Sequence, residues 1–249
     1  MSKFRNSSLA LGLLLAAPAA QATTVVATLT GFDPAGATVQ RTILTGAGAP
    51  QVNATQNVGR FYMDRTGGTD TRTLVGSGVP GDFLAFCVEP RELISIGQSA
   101  LWQVTALRNG ASNIGGIGAN KAKQVLELFG RFAPNLSTPM STMQAGALQI
   151  SIWEIVRETP GSALDVTTGN ISFTGGSQAG MLALAQSYVQ AIDGTGPLAR
   201  GMFALRNNGV QDLLAQTAVP EPSTWSMLIA GFGLVGLNAR RRRLRSVAA

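Results

Sequence analysis

Histidine is missing from this 249-residue chain, and cysteine occurs only once. The first absence excludes Ser-His and Cys-His nucleophile pairs, imidazole general bases and histidine-containing zinc sites. The second excludes an internal disulfide, which makes Cys87 the residue to follow. Charge is also scarce, at 13% of residues, yet the formal net charge is +6. Its location decides its meaning. Between residues 23 and 219, 12 Lys and Arg stand against 12 Asp and Glu, and the excess lies in Lys3, Arg5 and five arginines near the C-terminus. A neutral body has no field to attract phosphates, so nucleic acid is excluded as a partner. That body also lacks any apolar run long enough to cross a membrane. Nothing in the residue pattern asks for a metal or a cofactor, and the chain is read as a non-enzyme.

What is present at the N-terminus is a processing signal. Lys3 and Arg5 precede an apolar stretch over residues 9–19, and Ala20-Gln21-Ala22 is a small-x-small pattern. This predicts a signal peptide over residues 1–22, removed after Ala22. At the other end, Pro220-Glu221-Pro222 is followed by Trp225, a run without charge to Ala239, and then Arg240, Arg241, Arg242, Arg243 and Arg245. The apolar run is short against the roughly 20 residues of a usual span, but it predicts a transmembrane helix at about 224–239. Basic residues flanking such a helix stay in the cytoplasm, so Arg240 to Arg243 are the expected stop-transfer element and the body lies outside.

This C-terminal segment, residues 220–249, resembles the PEP-CTERM sorting signal of Gram-negative bacteria. The resemblance implies recognition of Pro220, Glu221 and Pro222 by an exosortase-type processing enzyme. It also implies anchorage in the inner membrane before cutting, then residence in the cell envelope or extracellular matrix, among substrates tied to exopolysaccharide and biofilm systems. Gly231, Gly233 and Gly236 spell a formal GxGxxG. They sit inside an apolar segment rather than after a strand, so a dinucleotide site is discarded.

The body, residues 23–219, is long enough for one sizeable domain. Alternating β-branched residues predict strands at 23–32, 38–44 and 58–63, and further strands at 81–90 and 100–107. Helical spacing then takes over. Ala122, Val125, Leu128, Phe129 and Phe132 predict a helix stopped by Pro134, and residues 145–158 predict a buried second helix capped by Ser141 or Thr142. A strand at 170–173, a helix at 178–192 and a last strand at 209–218 complete an α+β fold, β-rich at first and helix-containing in its second half. Glu154 and Glu158, four apart, read as a solvated face beside Arg157 rather than as an acid-base pair. Three Asn-x-Ser/Thr sequons read as ordinary loop composition.

Gln149-Ile150-Ser151-Ile152-Trp153 is similar to the Gln-x-Ala-Ile-Trp motif of bacterial surface thioester domains, and Phe86-Cys87-Val88-Glu89 to their aromatic-Cys-x-acid motif. Leu148 stands where that family favours Thr, and Ser151 replaces Ala. The resemblance covers about residues 83–157. It implies a thioester between Cys87 and Gln149 that couples to amine or hydroxyl partners. Trp153, one turn beyond Gln149, would cover the bond, and Glu89 would assist proton transfer. The plain alternative is a buried Cys87, a hydrogen-bonded core Gln149 and an anchoring Trp153. The functional expectation is therefore an exported surface or matrix protein, coupling covalently through the thioester. The alternatives are a non-covalent exopolysaccharide or biofilm matrix protein and a polysaccharide-acting enzyme using carboxylates.

Overall fold

The computed structural model describes residues 23–44, 52–76, 78, 81–218 and 229–232. The expected signal peptide and most of the expected transmembrane helix fall outside these residues; residues 229–232 form one exposed helical turn. No helix among the described residues is long and apolar enough to cross a membrane.

The body contains β1 (Thr24–Phe32), β2 (Ala37–Ile43), β3 (Val52–Val58), β4 (Phe61–Gly67), β5 (Asp82–Cys87), β6 (Ser99–Thr105), α1 (Gly118–Phe132), α2 (Thr142–Arg157), β7 (Ile171–Thr174), α3 (Met181–Gln190), β8 (Met202–Arg206) and β9 (Leu213–Gln216). Six strands close an antiparallel barrel in the order β1-β4-β5-β9-β8-β6, and the other three make a small sheet in the order β3-β2-β7. The fold is β-rich with a few helices, and the six-stranded barrel is what the expectation lacked. β8 and β9 follow the last helix and complete the barrel. β8 (Met-Phe-Ala-Leu-Arg) has no β-branched residue, and β3 (Val-Asn-Ala-Thr-Gln-Asn-Val) is mostly polar, so neither carried a strand signal.

The single strand expected over residues 58–63 is two strands meeting at a corner. Gly59 takes φ +148°, open to glycine and rare for other residues. Arg60 fixes the corner by donating through Nε to the Asp33 carbonyl at 2.7 Å and through Nη1 to the Thr138 carbonyl at 3.0 Å. Burial runs without interruption from Val58 to Phe61, so hydrophobic periodicity could not mark the break.

The second helix is the centre of the molecule. Ser141 caps it in a reciprocal box with Gln144, accepting from the Gln144 amide at 3.2 Å while the Gln144 side chain accepts from the Ser141 amide at 2.8 Å. Every residue from Ala145 to Val156 is buried, as befits a helix that is apolar around its circumference. It touches β5 of the barrel, all three strands of the small sheet, and both other helices. Gly146 leaves room for α3, since a Cβ there would lie 2.4 Å from the Met181 sulfur. The small sheet therefore lies over α2 as a cover, and one continuous hydrophobic cluster runs from barrel to cover.

Candidate functional site

Cys87 ends β5. The period of two places it on one face with Phe83 and Ala85, and the register adds their partners Met63, Phe61 and Leu213. On the β9 side the pairing runs one residue further, the Val88 amide bonding to the Asp212 carbonyl at 2.9 Å. Gln149 approaches from the middle of α2. The two residues are 62 positions apart, and the fold brings them into direct contact.

The contact is reciprocal. The Cys87 amide donates to Gln149 Oε1 at 2.9 Å, and Gln149 Nε2 donates to the Cys87 carbonyl at 2.8 Å. The side-chain amide thus takes the place of a neighbouring strand at the point where β5 ends. Trp153 lies one helical turn along and donates from Nε1 to Cys87 Sγ at 3.3 Å. The thiol itself donates to the Glu89 carbonyl at 3.0 Å. Trp153 is in turn stacked on Phe173 of β7, with centroids 6.2 Å apart and planes at 15°. Cys87, Trp153 and Phe173 are fully buried and Gln149 is 1% exposed. Burial in apolar surroundings pushes the Cys87 thiol well above its ordinary pKa; the Trp153 hydrogen bond opposes this and the Glu89 charge adds to it.

This geometry has defined chemical capacities. The Gln149 carboxamide carbon is held beside the residue that carries the thiol, with water excluded. The Cys87 amide already points at Gln149 Oε1, where an attacked carboxamide would gather negative charge, and the Trp153 N–H points at sulfur. Ser151, which departs from the thioester motif, is satisfied in its buried position by the Ala147 and Ala185 carbonyls at 2.8 and 3.3 Å.

Glu89 is brought near, with its carboxylate turned to other partners. Oε2 accepts from the Arg91 amide at 2.9 Å and from Asn113, and Oε1 faces Arg157 at 3.5 Å. The contact to sulfur is made by its main-chain carbonyl. The solvated face expected at Glu154 and Glu158 is also corrected. Glu154 is fully buried and Glu158 is 7% exposed, because the 159–170 connection folds back over them: Glu154 Oε1 accepts from the Asp165 amide at 2.9 Å and Glu158 Oε2 from the Asn170 amide at 3.0 Å.

Two residues were missed by the sequence reading. Phe173 reaches the site only through the fold of the small sheet. Arg41 had a legible signal, for β2 alternates Ala37, Val39, Arg41 and Ile43 on its buried face, and a charge in such a row is rare without a purpose. Among the described residues no cluster of three or more Cys, Asp or Glu could hold a metal.

Pro220, Glu221, Pro222 and Arg240 to Arg243 lie outside the described residues. Their segment is the one that comparison with known proteins reaches: residues 218–243 match the PEP-CTERM protein-sorting motif. The match makes the chain an exosortase-targeted, exported surface protein, anchored in the membrane before processing. No curated protein and no solved structure matches the chain.

Proposed function

We propose that the exported body is a surface-coupling domain in which Cys87 and Gln149 close an intramolecular thioester. The observation that supports this reading is the reciprocal hydrogen-bonded contact between the two residues, sealed by Trp153 and Phe173. In the closing step Sγ bonds to the Gln149 carboxamide carbon, the carbon–nitrogen bond breaks, and the thiol proton leaves with the nitrogen as ammonia. In the coupling step an amine or hydroxyl on a partner attacks that carbon. The carbon–sulfur bond breaks, an amide or ester forms, and the attacking group's proton passes to sulfur. Trp153 shields the bond and stabilises developing charge on sulfur in both steps.

A specific observation favours a second reading, a non-covalent structural protein of an exopolysaccharide or biofilm matrix. The amide pair is already fully satisfied and the buried thiol resists ionisation, so the same contact serves as a brace between α2 and the barrel. Intact-mass spectrometry of the folded body, residues 23–219, separates the two. The thioester lowers the mass by one ammonia, methylamine adds back at Gln149 and frees the thiol, and Cys87→Ala or Gln149→Ala each restores the calculated mass. Full calculated mass in the unmodified protein, with Cys87 titratable only after denaturation, leaves the brace.

A further inference from the structure

The small sheet has a free side. β2 pairs with β3 along one edge and with β7 along the other, which leaves the outer edge of β3 without a strand among the described residues. No loop bond among those residues reaches the main chain of residues 53–57. A cleft of about 440 Å³ runs there, walled by consecutive β3 residues 54–57 on one side and by residues 93–96 on the other. Four consecutive strand residues line a cleft together when its wall is the strand's edge rather than one face, because alternate side chains point to opposite faces. The facing wall presents Leu93 and Ile96, 62% and 64% exposed.

The third side of the cleft is Arg41. Its Nη1 donates to the Pro90 carbonyl, while its Nε is buried with no partner, although Arg41 as a residue is only 6% exposed. A buried donor left unpaired is unusual and marks a place where an acceptor belongs. Burial works against the Arg41 charge, Glu89 and the nearby Cys87 work for it, and Arg91 and Arg157 work against it. Glu92, on the same loop, lies near Glu89 and Asp212. Arg41 is the one charged residue among those lining the cleft, and a planar guanidinium suits a carboxylate.

We propose that this groove takes an extended peptide segment of a partner protein, added as a fourth strand along β3, with an acidic side chain of that segment seated against Arg41. Main-chain bonds to β3 hold the segment, Leu93 and Ile96 cover its alternate side chains, and Arg41 selects the acid. Seating of the segment along β3 does not require a thioester.

A nonapeptide array with a fixed central Glu, Gln or Lys and randomised flanks, probed with the folded body and with a parallel panel of uronic-acid oligosaccharides, tests it. Glu-centred peptides should be retained at least tenfold over Gln- and Lys-centred ones, with β-branched flanks enriched. Arg41→Gln should erase the preference for Glu while the residual signal on Gln peptides stays at the wild-type level, which also reports that the groove is still folded. Leu93→Ser with Ile96→Ser, on the exposed lip, should lower every peptide signal without changing the preference. Equal retention of the three peptide sets overturns the proposal. So does retention of the saccharides in place of the peptides, or dimerisation of the body through β3 that excludes peptide, seen by sedimentation.

Discussion

Arg157, in the last turn of α2, stands 3.5 Å from the buried carboxylate of Glu89, two residues beyond Cys87. This pair and the Gln149 contact tie α2 to the end of β5 at two heights. Removing one member of a buried ion pair leaves a charge without compensation. Arg157→Met should therefore lower the unfolding free energy by about 3 kcal/mol, read from the urea midpoint at constant slope. Adding Glu89→Gln to that variant should recover most of the loss, and an unchanged midpoint in Arg157→Met would show that the pair contributes nothing.

The Gln149 brace can be weighed apart from any covalent chemistry in a Cys87→Ala background, where no thioester can form. Gln149→Met is similar in length but leaves the main-chain N–H and C=O of residue 87 buried and unpaired. Each such group costs about 1–3 kcal/mol, so the double variant should unfold with a stability lower than Cys87→Ala alone by roughly 3 kcal/mol. A loss under about 0.5 kcal/mol, the scatter of ordinary surface changes, would mean that water replaces the amide.

Stability should fall as pH rises through the neutral range. Burial raises the Glu154 carboxyl to about 8, with Glu158 and Asp165 adding to the rise against the Asp165 amide bond. Burial likewise raises Glu92 to about 7, helped by Asp212 and Glu89. An acid with a raised folded pKa holds its proton in the native state after the unfolded chain has lost it. Each contribution is therefore full below the ordinary value of about 4.5 and declines until the folded value is passed. Asp193 works in the other direction. The Thr195 hydrogen bonds, with help from Arg131, hold it at about 2, and its contribution is lost only in strong acid. Melting temperature should peak in mild acid and drop between about pH 5 and 8, and Glu154→Gln should flatten that drop.

Helix α1 crosses the main chain of residues 197–199 at Gly130, where a Cβ would lie 1.9 Å from the Pro197 carbonyl oxygen. The crossing is closed by the Ala199 amide, which bonds to the Leu126 carbonyl at 2.9 Å. Gly→Ala stabilises an open helix by about 0.5–1 kcal/mol; here it should destabilise by about 2 kcal/mol or more, as overpacking does. Circular dichroism melting of Gly130→Ala decides the sign.

Much of the site was legible because its parts carry local signatures. A lone cysteine at the end of an apolar strand, a glutamine in a helix apolar on every side, and a tryptophan one turn away could each be named before the fold was known. The surroundings were not legible, because they depend on returns of chain over long separations. Phe173 comes from a strand formed after α2, and Glu154 is buried by a connection that reads as an ordinary turn. Arg41 was readable from alternation alone, and was passed over because its segment read only as one more strand. The barrel escaped notice for a related reason: β8 has neither β-branched residues nor length, and its place is fixed by its neighbours β6 and β9.

The last barrel strand, β9, lies between β5 and β8, and the chain is still bonded to its neighbours at Thr217 and Ala218, whose amides meet the Gly201 and Thr73 carbonyls at 2.9 Å. Pro220 comes two residues later. A chain that emerges N-terminus first cannot close its barrel until β9 has appeared, by which point the sorting tripeptide is next in line. A chain cut short before Leu213 therefore loses the final stave of its barrel and its address label together.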